Sequence, residues 1–179
     1  IDLLETWDVA LFLSGHLHVQ HCKRSEDNRG IWEMVTASLA TPSCKYAILT
    51  YRDDRSFLYR TQSLDVEAWA KKNQCTEEDL LNFKQFQTPF LRRVFYNQAI
   101  ASLNEVPELT DSEREQMAQL YSLLKFHYYQ GTAYQVQEPV RNDPAYELWQ
   151  EDGMATQQGE YFRYILEDGK RDYNRLEVN

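Results

Sequence analysis

The feature that most constrains this chain is Leu13-Ser14-Gly15-His16-Leu17-His18, which follows directly on the apolar run Val9-Ala10-Leu11-Phe12. A short apolar run closed by a turn signal reads as a buried strand. Here the strand ends in a glycine and two histidines spaced i, i+2. On extended backbone that spacing puts both imidazoles on one side, and a glycine before them permits a sharp turn. Two neutral imidazoles converging on one point are good ligands for Zn, Mn or Fe. The bland alternative is an exposed turn with two incidental histidines; the preceding strand and Gly15 favour ligation. His21 adds a third imidazole nearby and Cys22 a soft thiol beside it. Both are read as neighbours of the site, in a supporting shell, rather than as ligands.

The chain has 179 residues and a formal net charge of -9. That balance argues against a nucleic-acid-binding role, which needs clustered Lys and Arg to neutralise phosphates. It argues equally against general attraction to anionic membranes. No apolar run approaches the roughly 20 residues that span a bilayer. The three cysteines, Cys22, Cys44 and Cys75, are odd in number and irregularly spaced, which is no disulfide framework.

The hydrophobic period changes from two to 3.6 near residue 64, and with it the expected architecture. Before that point the signals are strands at 9–14, 32–39, 46–51 and 56–61. Arg52-Asp53-Asp54-Arg55 reads as a hairpin turn, and 23–30 as a charged loop. Beyond it the signals are helical. A helix is expected over 65–73, and another opening at Thr76 with Asp79 as a capping-box pair. Thr88-Pro89 reads as an N-cap and first helical residue. Thr110 and Glu113 form a capping box, with Met117, Leu120, Tyr121 and Leu124 at helical spacing behind it. Asn142 or Asp143 with Pro144 opens a further helix that Gly153 ends, and 161–166 makes the last, stopped near Gly169. Residues 131–139 read as an ordered loop. The fold class is therefore α+β, divided into 1–63 and an all-α domain at 64–179.

The strand and Gly15-His16-Leu17-His18, the following Met34-Val35-Thr36-Ala37-Ser38-Leu39-Ala40, and the hairpin at 46–61 together resemble the calcineurin-like metallophosphoesterases. The resemblance covers residues 7–61. It implies the C-terminal strands of an α/β/β/α sandwich and a site with two divalent ions (Mn, Fe or Zn). His16 would ligate the second ion and His18 the first. The implied activity is hydrolysis of a phosphomonoester or phosphodiester, cyclic nucleotides included, by metal-bound hydroxide. The family's Asp-x-His, Gly-Asp-x-x-Asp and Gly-Asn-His motifs do not occur in the 179 residues, and in this family they precede Gly-His-x-His. The expectation is thus the C-terminal portion of a larger enzyme, inactive alone, with no catalytic residue of its own and with the missing N-terminal half as its partner. An orphaned sheet edge at 9–14 must find cover, so the isolated chain is expected to dimerise, swap strands, or come from a nicked, still-associated parent.

The helical region resembles C-terminal extensions of some bacterial members, including exported ones similar to cyclic-nucleotide phosphodiesterases. The cysteines lean towards a reducing, cytoplasmic compartment and the exported relatives lean the other way, so localisation stays open. Two other functions compete. One is a helical protein-interaction module with a vestigial β segment. The other is a simple zinc domain using His16, His18 and His21 or Cys22.

Overall fold

The computed structural model describes residues 2–24, 30–52 and 56–178. The proposed hairpin turn at Asp53-Asp54-Arg55 and most of the charged loop at 23–30 lie outside the described residues. The protein is α+β, and its backbone divides into two units: residues 1–64, 129–131 and 172–179, and residues 65–128 and 132–171. No helix among the described residues is long and apolar enough to cross a membrane.

The first unit opens with a short helix α1 (Asp2–Thr6) and then holds two three-stranded sheets. One contains β1 (Leu11–Ser14), β2 (His21–Arg24) and β3 (Trp32–Val35) in the order β1-β3-β2. Strand β1 runs parallel to β3, and β2 antiparallel to it. The other contains β4 (Lys45–Tyr51), β5 (Phe57–Ser63) and β6 (Arg175–Val178), all antiparallel. Cys22 and Met34 from the first sheet share one core with Phe57 and Tyr59 from the second. In β5 the alternation expected from the sequence holds, with Phe57 and Tyr59 buried and Arg60 exposed, as one inward face requires.

Three expectations for this unit change. Strand β1 is not buried: Phe12 is 44% and Leu13 57% exposed, because β1 lies at the edge of its sheet. The strand expected over 32–39 stops at Val35, where the pairing with β1 and β2 ends. The expected all-α region ends in a strand, since Arg175-Leu176-Glu177-Val178 alternates polar and apolar and pairs with β5.

The second unit is helical, with α2 (Val66–Lys72), α3 (Glu78–Leu81), α4 (Phe83–Leu103), α5 (Asp111–Tyr129, its last residue in the first unit), α6 (Gln137–Arg141), α7 (Ala145–Gln150) and α8 (Gln157–Asp168). The capping box forms as read: Thr110 Oγ1 accepts from Glu113 N at 3.3 Å, and Glu113 Oε2 accepts from Thr110 N at 2.8 Å. These bonds hold the Glu113 carboxyl below its usual range. Asp65 caps α2 through Ala68 N, and Asp143 accepts from Ala145 N at the start of α7. The centre of the unit is aromatic. Trp149 is fully buried, stacks on Phe162 at 5.1 Å and donates from Nε1 to the Met117 carbonyl.

Here too the structure differs from the sequence reading. Thr88-Pro89 does not start a helix, because α4 runs through it from Phe83. Proline cannot donate to the Gln85 carbonyl, but Phe83, Phe86 and Phe90 pack as tilted ring pairs along the helix across that gap. Thr76 caps nothing: α3 begins after Glu77 without a side-chain cap. Residues 131–139 are no loop, since they form a 3-10 turn at Ala133–Gln135 and the start of α6. Pro139 fits there because N–H groups of a first turn have no partner within the helix. Helix α7 stops at Gln150, and Gly153 lies in the 3-10 turn that follows.

Candidate functional site

The segment after β1 carries the two candidate ligands. Gly15 has no positive φ, and a Cβ placed there would meet open space, so the turn does not depend on glycine. Its left-handed positions are the histidines themselves, His16 at φ 77° and His18 at φ 57°. Strand β1 has ended by then, so the two imidazoles do not alternate along extended backbone as the i, i+2 spacing implied. Left-handed backbone is uncommon for residues other than glycine, and such positions concentrate at functional sites. His16 and His18 are both exposed.

The end of this segment is held firmly. Gln20 is fully buried. Its Nε2 donates to Tyr59 Oη at 3.0 Å and to the Tyr173 carbonyl at 2.8 Å, and its Oε1 accepts from Ala37 N at 3.3 Å. Thr36 Oγ1 lies 2.9 Å from the same Tyr59 hydroxyl. Burial pushes the Tyr59 phenol above its usual range, against these hydrogen bonds. Gly131, at φ 71°, leaves room for the Gln20 side chain, which a Cβ there would meet at 2.7 Å. Gln20 is the site-supporting residue that the sequence reading missed. A glutamine flanked by valine and histidine carries no pattern that marks it as buried.

His21 and Cys22 belong to β2 and face inward. The His21 ring sits 4.3 Å from the Tyr173 ring, and Cys22 Sγ lies 3.6 Å from the Tyr173 carbonyl. The structure thus places them in the core beside Gln20, while His16 and His18 lie in the exposed turn. Cys22, Cys44 and Cys75 are all free thiols. Among the described residues no group of three or more His, Cys, Asp or Glu side chains is arranged to hold a metal ion.

Beside this segment runs an apolar groove of about 340 Å³, walled by Leu13, Leu39, Ala47 and Leu49, with Thr36 and Tyr59 also lining it. Lys45 lines it as well, its Nζ donating to the Gln130 carbonyl and to Asn174 Oδ1, each at 2.6 Å. Burial pushes Lys45 down to about 8, against the opposing charge of Asp172.

The helical unit is the part of the chain that the comparison with known families reaches. Residues 65–172 match the family model of the C-terminal domain of cyclic nucleotide phosphodiesterase, and the chain belongs to that family. No curated protein matches the sequence.

Proposed function

We propose that this chain is the C-terminal portion of a metal-dependent phosphoesterase of the calcineurin-like class, acting on a phosphodiester such as a cyclic nucleotide. In this reading His16 and His18 each supply a ligand to one of two divalent ions, Mn, Fe or Zn. What supports it is one conjunction. A helical region of the cyclic-nucleotide phosphodiesterase family follows a parallel strand that runs into two exposed histidines with left-handed backbone.

The histidines do not complete a centre by themselves. A catalytic ion takes about three protein ligands, and among the described residues no such group exists. The chain alone is therefore proposed to be inactive, with the remaining ligands and the catalytic groups in the rest of the catalytic domain. The edge of β1 supports the same reading. Among the described residues β1 pairs only with β3, and it exposes Phe12 and Leu13. Parallel strands are ordinarily covered on both faces, and an apolar edge strand is a template for another strand.

The test is hydrolysis of a cyclic nucleotide and of a chromogenic phosphodiester by the full-length enzyme and by the 179-residue chain. The reading expects turnover by the full-length enzyme, its loss in His16→Ala and His18→Ala, and none by the chain alone. Unchanged turnover in both full-length variants would overturn it, and so would turnover by the chain alone that His16→Ala abolishes.

A further inference from the structure

We propose that the helical unit carries an oxyanion site of its own, in which Arg92 and Arg93 receive a dianionic phosphate group, free or carried on a monoester. The site is a cleft of about 390 Å³ between α4 and α5, in the size range of small-ligand pockets. Thr88, Arg92, Arg93 and Tyr96 line it from α4, and Gln119 and Ser122 from α5.

Its charge is unbalanced. The chain as a whole carries -9, yet among the described residues neither guanidinium is paired with a carboxylate. Arg92 is half-buried. Its Nη2 donates to the Gln119 carbonyl at 3.4 Å and to Ser122 Oγ at 3.3 Å. Both bonds are long for a charged donor. Its Nε is buried without a hydrogen-bond partner. A buried polar group of that kind calls for a physical reason, and an anion bound in the cleft would supply one. The positive field reaches beyond the cleft: the Arg92 charge adds to burial in holding the His127 imidazole below its usual range.

These features select the ligand chemistry. Guanidinium donors form a planar fork that matches the oxygens of a phosphate. A dianionic phosphate would neutralise both charges at once, with the Thr88 hydroxyl at hand as a further partner; the Ser122 hydroxyl already donates to the Gln119 carbonyl at 2.8 Å. Tyr96 offers an aromatic face at the same cleft, and aromatic faces stack on bases. A free phosphate and a mononucleotide share the recognised group, and affinity distinguishes them. The site involves neither His16 nor His18, so it stands or falls separately from the metal reading.

The experiment is calorimetric titration of the 179-residue chain with inorganic phosphate, with AMP and with adenosine. Saturable binding of phosphate or AMP, without binding of adenosine, is expected. Arg93→Gln, at an exposed position, should weaken it about tenfold or more, the scale of one lost charged hydrogen bond. Arg92→Gln should do the same, while Lys170→Gln, an exposed charge elsewhere, should change nothing. AMP binding tighter than phosphate, with the difference removed by Tyr96→Ala, identifies a nucleotide ligand. Equal affinities identify free phosphate. Absence of saturable binding, or binding that survives Arg93→Gln undiminished, would overturn the proposal. Arg93→Gln decides the matter if circular dichroism shows that Arg92→Gln fails to fold.

Discussion

Replacing Lys125 with methionine should stabilise the helical unit at neutral pH and remove a specific pH dependence. Lys125 is only 9% exposed. Its ammonium lies 4.8 to 5.1 Å from the ring centroids of Phe95, Tyr121 and Tyr161. It donates to Gln98 Oε1 and to Tyr121 Oη, each at 2.9 Å. Among the described residues no carboxylate pairs with the ammonium, and burial pushes its pKa from 10.5 down to about 8. At 1.36 kcal/mol per pH unit that gap corresponds to about 3 kcal/mol against the charged folded form. The direction follows from proton counting. Below pH 8 both folded and unfolded chains hold the proton, and the full cost is present. Between pH 8 and 10.5 the unfolded chain still binds a proton that the folded one has released, so stability rises with pH. Methionine keeps the length and packs among rings, but it forfeits two hydrogen bonds and the cation–π contacts, about 1–2 kcal/mol together. Lys125→Met should therefore gain about 1–2 kcal/mol at pH 7 and lose that advantage near pH 9.5. Urea unfolding followed by helical circular dichroism at both pH values measures it. A difference between wild type and variant that is constant with pH, or a destabilised variant at pH 7, would refute the argument.

Gln20→Leu should destabilise the sheet unit by about 2–4 kcal/mol, because Tyr59 Oη and Ala37 N lose a buried partner; thermal unfolding monitored by near-ultraviolet absorption checks this. Gly131→Ala combines a positive φ with a 2.7 Å approach to Gln20 and should cost about 1–3 kcal/mol on the same measurement. Phe12→Lys puts a charge on the exposed edge strand and should lower self-association of the isolated chain. Light scattering reads that result, and a wild-type chain that is strictly monomeric at high concentration would count against an uncovered edge.

Much of this protein was legible where local signals agree with one another. The alternation in β5 and the Thr110–Glu113 box both combine a side-chain preference with a matching hydrophobic period, and each forms as read. The misreadings arise where tertiary packing overrides a local signal. Pro89 ordinarily opens a helix, but the aromatic row of Phe83, Phe86 and Phe90 carries α4 through it. The strand at 175–178 had the right period but is only four residues long, and its partner lies more than a hundred residues away in β5. The histidine turn was legible in composition and not in conformation: Gly15 drew attention, whereas His16 and His18 hold the left-handed backbone. Arg92 and Arg93 look like a solvated helix face until α5 supplies Gln119 and Ser122 across the cleft.

The most direct measurement is the metal content of the full-length enzyme, by inductively coupled plasma mass spectrometry, for wild type, His16→Ala and His18→Ala. The account expects about two divalent ions per wild-type chain, as a dinuclear phosphoesterase requires, and loss of at least one in each variant with the fold intact by circular dichroism. Metal content unchanged by both substitutions would contradict the assignment of His16 and His18 as ligands.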